Sequence, residues 1–266
     1  METTKMHVTT CKEEKKLSYH KFYERGLCDI PTEKMAILNG EPLKPGKGIL
    51  FEDKDDFLIE KGDYCRIGFG ENADGTAYAA NETFVPGGTV EMMDFWIPWC
   101  GSGSDLRFKV WDPEDHYYTR SNNQARLIDP NIPMNERLWG TSNMVLEDIG
   151  SGSLWATPLN FMSPTTFGFN PALIGKDKCR SIVCGGGGPV VVVHKYYETD
   201  GGLMINSYFW VGWGCDNRCN IQKADLSKMP VKTVIMAKLL YGHSIREMTN
   251  LAAVMPEVFA EEKDNL

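Results

Sequence analysis

The sequence has no apolar run long enough for a membrane-spanning helix, and it has no excess of positive charge. None of its wholly aliphatic runs is longer than the four residues Val190–Val193, whereas a membrane helix needs about 20 apolar residues. Its 28 Lys and Arg are outnumbered by 36 Asp and Glu, which gives a formal net charge of −8. Because nucleic-acid binding proteins usually carry a basic excess, we expect neither a nucleic acid nor a membrane as a partner.

The N-terminal segment lacks the apolar core of a secretory signal, because residues 1–16 are rich in Thr, Lys and Glu. We therefore expect a cytoplasmic protein whose eight cysteines are free thiols. Cys215 and Cys219 have a spacing close to that of metal ligands, but no second pair accompanies them. A structural zinc knuckle is therefore the less favoured interpretation of this pair.

Three common motifs of nucleotide binding and hydrolysis are also missing. Gly68-Phe69-Gly70 is not followed by the third glycine of a dinucleotide-binding fingerprint. The sequence contains neither the G-x-S-x-G of a serine nucleophile elbow nor the H-E-x-x-H of a zinc protease. Any active site must therefore be built from a different arrangement of residues.

The residue pattern changes near residue 85. Residues 1–85 are charged and interrupted by Gly and Pro, and we predict a small N-terminal domain of mixed structure there. Residues 86–266 first show strand patterns and then one long helical pattern. The simplest fold that buries such a helix is an antiparallel sheet curved around it, which is an α+β architecture.

Four segments carry strand patterns. The alternation of apolar and charged residues in Asp105–Trp111 predicts a half-buried strand, and Ser142–Ile149 shows a similar alternation. Val190–Tyr197 and Leu203–Trp213 are rich in β-branched and aromatic residues, which favour strands. Gly185–Gly188 is predicted to form a flexible entry to the third of these strands.

The end of the chain has helical periodicity, from Val231 to about Ala260. Ser227 is a candidate cap, Pro230 suits a first turn, and Pro256 should end or kink the helix. One stripe of this helix, spaced for burial against a sheet, consists of Met236, Leu239, Leu240, His243, Glu247, Leu251 and Val254.

Polar residues interrupt these apolar faces. His243 and Glu247 are neighbours on the helical stripe, and Glu147 lies between two apolar residues on a strand face. Burying a lone carboxylate costs several kcal/mol, so each glutamate needs a partner, and a metal ion would satisfy both. His116, just after the first strand pattern, completes a candidate site of two histidines and two carboxylates that suits zinc, manganese or ferrous iron. A local ion pair is the plainer interpretation of His243 and Glu247 alone.

Three short motifs resemble one enzyme family. They are W-x-P-x-D-H at Trp111–His116, N-x-V-L-E-D at Asn143–Asp148 and G-H-S-x-R-E at Gly242–Glu247. Together they resemble the phloretin hydrolase and diacetylphloroglucinol hydrolase family, over about residues 86–266. The resemblance implies that His116, Glu147, His243 and Glu247 are zinc ligands, in a helix-grip (birch-pollen-allergen-like, START-type) catalytic domain of a homodimer.

The resemblance also implies a reaction and a further active-site residue. The family hydrolyses the carbon–carbon bond between a phloroglucinol ring and its acyl group, so the expected substrate is a small aromatic ketone. His194, among valines on its strand, resembles an additional pocket histidine and is our candidate catalytic acid or base. Thr119 and Phe108 stand where substrate-contacting Asn and Tyr are expected for acetylated substrates. This difference favours phloretin, which would give phloroglucinol and 3-(4-hydroxyphenyl)propionate.

Other functions stay open at this point. The chain could deacylate mono- or diacetylphloroglucinol, or it could be a metal-dependent oxygenase, because similar ligand sets hold ferrous iron. It could also be a non-catalytic helix-grip protein that binds a hydrophobic ligand. In that case His194 would be an ordinary buried core histidine.

Overall fold

A computed structural model describes residues 6–266, and its central feature is one antiparallel sheet of eight strands. The strands are β1 Gly68–Glu71, β2 Ala77–Pro86, β3 His116–Ser121, β4 Ser142–Glu147, β5 Trp155–Met162, β6 Ser181–Thr199, β7 Gly202–Cys215 and β8 Ile221–Lys223. Their order across the sheet is β1-β2-β7-β6-β5-β4-β3, and β8 pairs with the end of β7. The two longest strands, β6 and β7, therefore lie in the middle of the sheet.

Within residues 6–266, eight α-helices accompany the sheet. They are α1 His20–Glu24, α2 Thr32–Asn39, α3 Asp55–Leu58, α4 Val90–Gly101, α5 Leu106–Trp111, α6 Gln124–Leu127, α7 Pro164–Phe167 and α8 Thr233–Glu262. Helix α8 packs against β1, β2 and β7 and also contacts α4 and α5. A long C-terminal helix held by an antiparallel sheet is the helix-grip arrangement, and this prediction is confirmed.

The boundaries of α8 differ from the sequence prediction at both ends. Ser227 does not cap the helix, because its amide and hydroxyl both donate to Asp225 in a separate short turn. The helix begins at Thr233, so Pro230 lies before the helix and not in its predicted first turn. Pro256 does not end it, and the chain stays helical to Glu262. Proline removes one helical hydrogen bond, but the next turn is held by Phe259, which is buried in the core.

The predicted strand over Asp105–Trp111 is wrong, because Leu106–Trp111 is helix α5. Its charged residues do not face water. Arg107 donates to Ser102 Oγ at 2.9 Å, and Lys109 donates to Glu14 Oε1 at 2.9 Å. The alternation of charged and apolar residues therefore reflects buried partners, some of them from distant parts of the chain, such as Glu14 and the backbone carbonyl of Asn265. Period-two reasoning cannot detect such partners.

The other three predicted strands are present as β4, β6 and β7. Gly185–Gly188 is not an entry loop. Gly185 and Gly186 pair with Phe161 and Asn160 of β5, so the glycines are part of β6. An added Cβ at Gly187 would lie 2.4 Å from the carbonyl oxygen of Pro158, which explains why this strand pair needs a residue without a side chain.

Residues on both sides of position 85 share the sheet. Strand β2 ends at Pro86 and pairs along its whole length with β7, from Ala77–Val211 to Pro86–Gly202. Before β1, the short helices pack onto the same body: α1 contacts α5, and α2 contacts β1 and α8. Within residues 6–266, no helix combines the length and apolar character that crossing a membrane requires.

Candidate metal centre and substrate cavity

The four predicted metal ligands come from three elements that meet at one end of the sheet. His116 is the first residue of β3 and pairs with Glu147, the last residue of β4. His243 and Glu247 lie one turn apart on α8, as i and i+4 neighbours. The strand register therefore brings two ligands together, and the helix supplies the other two from across the cavity.

The candidate ligand atoms converge closely. The two imidazole Nε2 atoms of His116 and His243 are 3.5 Å apart. Each of them lies 3.7 Å from Glu147 Oε2, and they lie 3.7 Å and 3.8 Å from Glu247 Oε2. His116, His243 and Glu247 form a group whose ligand atoms all lie within 4.8 Å of one another. The five distances given above match edges of a regular tetrahedron whose centre lies about 2.3 Å from each corner, against about 2.0–2.2 Å for zinc–nitrogen and zinc–oxygen bonds.

The charges of the cluster also fit a cation. Burial first, and the nearby Asp112 and Asp115 carboxylates next, raise the pKa of Glu147 to about 7. Burial, reinforced by the charge of Glu147, likewise holds the pKa of Glu247 well above its usual range. Two buried carboxylates facing each other are costly without a compensating positive charge. A divalent ion between them would remove that cost, so the donor set fits a metal.

The imidazole of His116 is held in one orientation. Its Nδ1 lies 3.1 Å from the carbonyl oxygen of Phe108, so Nδ1–H donates there and Nε2 keeps its lone pair for the cluster. The ring also stacks on the Phe108 side chain, with centroids 3.7 Å apart and planes 7° apart. Burial first, and the neighbouring His243 next, hold the pKa of His116 well below its usual range, which favours the neutral ring.

Acidic residues stand behind His243. Asp112 and Asp115 each place a carboxylate oxygen within 4.8 Å of a ring nitrogen of His243. Arg246 compensates this second group of charges: its Nε lies 3.2 Å from Asp115 Oδ2, and its Nη2 donates to Glu114 at 2.8 Å. Asp115 is therefore placed to orient the His243 ring.

Asp148, the residue after Glu147, accepts hydrogen bonds within its own loop. Its Oδ1 accepts hydrogen bonds from the amides of Gly150, Ser151 and Gly152, at 2.9, 2.8 and 3.1 Å. It therefore closes the turn between β4 and β5, next to the last residue of β4. Through this turn it fixes the end of the strand that carries Glu147.

An apolar cavity of about 190 Å³ opens beside the metal-ligand cluster. Aromatic and aliphatic side chains from β4–β7, α5 and α8 form most of its wall, and the polar side chains include Glu147, His194, His243 and Glu247. Met236 lines it about two turns before His243, and Leu240 lines it about one turn before His243, as the predicted helical stripe requires. Such a cavity suits an aromatic ligand that presents its polar end to the cluster.

His194 faces this cavity from β6, together with Val190 and Val192 on the same strand face. Its Nδ1 is 2.8 Å from Ser207 Oγ on the paired strand β7. Burial lowers the pKa of His194 to about 4, so the ring is neutral at neutral pH. Because a serine hydroxyl can donate or accept, Ser207 supports either neutral tautomer, and Nε2 can present a donor or an acceptor to the cavity.

Several contributors to the site escaped the sequence analysis. The Phe108 carbonyl that orients His116 is a backbone group in a segment predicted to be a strand, so no sequence pattern pointed to it. Ser207 lies opposite His194 in the register of β6 and β7, and that pairing was not predicted. Asp112 and Arg246 lie within the quoted motifs, and their charges were the available signal.

The cysteines do not contribute to the cluster. All eight are free thiols and all lie within residues 6–266. Cys215 Sγ lies 3.4 Å from the carbonyl oxygen of Asp216. The expectation of free thiols therefore agrees with the structure.

The fold and the site define a helix-grip protein with two histidines and two carboxylates clustered at an apolar cavity. A family model described as the DAPG hydrolase PhiG domain matches residues 49–260. The chain is 43% identical to "Phloretin hydrolase" of Eubacterium ramulus, over 99% of this chain and 97% of that protein. It therefore belongs to the DAPG hydrolase family.

More distant proteins were also found. The chain is 25% identical to "2,4-diacetylphloroglucinol hydrolase" of a Pseudomonas species, over 77% of this chain and 73% of that protein. Among solved structures, Ara h 8.0201 aligns with a TM-score of 0.37 and 12% identity, over 69% of this chain and 99% of that one. This TM-score is too low to support an argument about the fold. The fold assignment therefore depends on the sheet and the helix described above.

Proposed function

We propose that this protein is a metal-dependent hydrolase of the carbon–carbon bond between a phloroglucinol ring and its acyl group, with phloretin as substrate. The products would be phloroglucinol and 3-(4-hydroxyphenyl)propionate. The observation that carries the proposal is the convergence of four nitrogen and oxygen donors beside an apolar cavity. The near full-length similarity to a phloretin hydrolase supports the choice of substrate.

The metal would be held by His116, Glu147, His243 and Glu247. A bound zinc ion would lower the pKa of a coordinated water to about 7 and polarise a carbonyl oxygen. The two carboxylates balance the charge of a divalent ion, while the Phe108 carbonyl holds the His116 ring and Asp115 lies behind His243. These supporting groups would aim both imidazoles at the same point.

The substrate chemistry explains why the ring needs hydroxyl groups beside the acyl carbon. With these hydroxyls the ring can adopt a keto form, in which the acyl group and the ring carbonyl make a β-diketone. Attack of a water oxygen on the acyl carbonyl then breaks the bond to the ring carbon. The electron pair remains on the ring as a stabilised enolate, and a proton finally returns to its oxygen, because the ring carbon already gained a proton when the keto form arose.

His194 is placed to handle the proton of a ring hydroxyl. It is neutral, because burial lowers its pKa to about 4, so it is a hydrogen-bond partner and proton acceptor rather than a ready proton donor. By accepting the hydroxyl proton at Nε2 and passing it to the ring carbon that bears the acyl group, it would promote the keto form that makes the bond cleavable. Ser207 would stabilise the ring nitrogen on the other side throughout this change.

The cavity wall contributes by excluding water from the reacting bond. Trp111 and Phe209 face the cavity, and the Trp111 indole is fixed by donating to the backbone carbonyl of Glu247 at 3.1 Å. An apolar wall strengthens each electrostatic contact inside the cavity. It also favours the flat aromatic rings of the substrate over polar competitors.

A panel of substrates tests the proposal. Purified protein loaded with zinc is incubated with phloretin, monoacetylphloroglucinol and diacetylphloroglucinol, and the products are separated by chromatography. Cleavage of phloretin with release of both expected products supports the proposal. Cleavage of the acetylated compounds alone would reassign the substrate to that of the Pseudomonas relative, and no cleavage of any compound would refute the reaction.

Two other functional classes are distinguished by simple measurements. An oxygenase would need molecular oxygen, so full turnover under anaerobic conditions excludes it. A non-catalytic ligand-binding protein would purify without stoichiometric metal and release no phloroglucinol. The homodimer and the cytoplasmic location stay predictions, and the molar mass in solution tests the first of them.

A further inference from the structure

A second chamber of about 60 Å³ adjoins the main cavity and shares part of its wall. Six residues line both spaces: Phe108, Trp111, Val145, Leu159, Val192 and His194. The remaining wall of this inner chamber comes from α4, β3, β4, β5 and β6 and includes Asn143 and Thr119. A molecule bound in the main cavity therefore has a place for a further group behind His194.

The Asn143 side chain in the wall of this chamber is an unusual buried polar group. Asn143 is only 3% exposed, and its Oδ1 has no hydrogen-bond partner within the part of the chain that the structure describes. A buried amide oxygen without a partner costs free energy. In a protein that binds a ligand in the same space, such an acceptor indicates a donor supplied by the ligand.

The amide of Asn143 is also held in place. A Cβ added at Gly101 would lie 2.7 Å from Asn143 Nδ2 and 3.0 Å from Leu127 Cδ1. The amide nitrogen therefore packs closely against the last residue of α4, where only glycine leaves room for it. This contact orients the side chain and makes Asn143 a fixed acceptor.

The position of Asn143 relates it to the metal-ligand cluster. Asn143, Val145 and Glu147 alternate along β4 and share the face that lines the two spaces. At about 3.3 Å per residue, the Cα atoms of Asn143 and Glu147 are about 13 Å apart. An aromatic ketone with its carbonyl at the cluster can therefore reach Asn143 with a group at its far end.

We propose that the inner chamber binds a phenolic hydroxyl of the substrate and that Asn143 Oδ1 accepts its hydrogen bond. The chamber is mostly apolar, which suits an aromatic ring, and a neutral hydroxyl supplies the missing donor without burying a charge. This inference takes the identity of the substrate from the proposed function and rests on it in that respect. Phloretin offers such hydroxyls from two sources: one at the end of its acyl chain and three on the phloroglucinol ring.

Two pairs of probe molecules distinguish these sources by calorimetric binding to the zinc-loaded protein. The first pair is 3-(4-hydroxyphenyl)propionate and 3-phenylpropionate, which differ by the hydroxyl of the acyl chain. The second pair is phloroglucinol and resorcinol, which differ by one ring hydroxyl. We expect the wild type to bind the more hydroxylated member of one pair about tenfold more tightly, as one buried hydrogen bond allows.

Leucine is close in size to asparagine but cannot accept a hydrogen bond. Asn143→Leu should therefore reduce the ratio of the two affinities within that pair to near one, and the affected pair identifies the hydroxyl that Asn143 binds. Met144→Leu is the matched control, because Met144 is the next residue on β4 and is 44% exposed. This variant should prefer the more hydroxylated compound by the same factor as the wild type. If Asn143→Leu does not fold, Asn143→Ala provides the same comparison. An unchanged preference in both pairs would overturn the inference.

Because these experiments measure binding, they are independent of turnover. If phloretin is not hydrolysed but Asn143→Leu still removes the hydroxyl preference, the proposed reaction fails and the hydroxyl site stands. If phloretin is hydrolysed while both preferences are unchanged, the reaction stands and the role of Asn143 is refuted.

Discussion

Replacing Glu247 with Gln should weaken metal binding and abolish most of the turnover without unfolding the protein. Glu247 lies on α8 with its Oε2 within 3.8 Å of both imidazole nitrogens of the cluster. Glutamine keeps the size of the side chain, but it removes one negative charge and offers a weaker metal ligand. The substitution also removes the repulsion between two buried carboxylates, so the metal-free variant should be at least as stable as the metal-free wild type.

The size of the effect follows from linkage between binding and folding. At a free zinc concentration 100 times the wild-type Kd, binding stabilises the folded state by about 2.7 kcal/mol. If the variant binds zinc about 100-fold more weakly, the same concentration stabilises it by only about 0.4 kcal/mol. For a chain of this size the difference corresponds to about 5–9 °C in the zinc-induced rise in Tm. Turnover at that zinc concentration should fall by about 100-fold or more.

The assay is thermal unfolding with and without zinc, accompanied by elemental analysis and phloretin turnover. Glu257→Gln is the matched control, because Glu257 lies on the same helix but is exposed and pairs with Arg25 at 2.7 Å. That control should show the zinc-induced rise in Tm of the wild type. If Glu247→Gln keeps full metal content, the full rise in Tm and full activity, Glu247 is not a ligand and our assignment of the site is wrong.

Further predictions concern the groups around the cluster and the substrate itself. His194→Gln should bind zinc normally but lose turnover by about 100-fold or more; parallel loss of zinc in elemental analysis would make His194 a ligand instead. Because burial lowers the pKa of His194 to about 4, the unfolded chain binds the extra proton first as the pH falls below about 6.5. The wild type should therefore lose about 2–3 kcal/mol more stability than His194→Gln between pH 7 and pH 4.5, and equal losses in urea unfolding would contradict the neutral histidine. Asp115→Asn should weaken zinc binding by about 10–100-fold in a competition titration with a chelator, and an unchanged affinity would separate Asp115 from His243. Phloretin with both flanking ring hydroxyls methylated should compete with phloretin for binding without being cleaved, and its rapid cleavage would disprove the keto route.

The sequence identified the candidate ligands because they break local patterns. Glu147 interrupts an apolar strand face, and His243 and Glu247 interrupt a helical stripe that otherwise packs in the core. Burying an acidic group is costly enough that such interruptions indicate a partner. The long helix and the strands β4, β6 and β7 were predictable for a related reason, since their periodicity matches the surfaces they bury.

The features that the sequence did not reveal depend on contacts between distant segments. Leu106–Trp111 looked like a strand because Arg107 and Lys109 alternate with apolar residues, yet Arg107 donates to the backbone carbonyl of Asn265 and Lys109 donates to Glu14. Asn143 was part of a recognised motif, but its missing hydrogen-bond partner and its contact with Gly101 exist only in three dimensions. Period-two alternation with Val145 and Glu147 was the one available signal that Asn143 faces the interior.

The most direct test of the central claim is to follow the oxygen atom that enters the product. Zinc-loaded protein is incubated anaerobically with phloretin in water enriched in oxygen-18, and 3-(4-hydroxyphenyl)propionate is examined by mass spectrometry, with chelator-treated protein in parallel. We predict one oxygen-18 atom in the new carboxylate of the product, formed only by the zinc-loaded protein and in equal amount with phloroglucinol. Absence of cleavage without oxygen, a product free of oxygen-18, or equal cleavage by the chelator-treated protein would contradict metal-dependent hydrolysis.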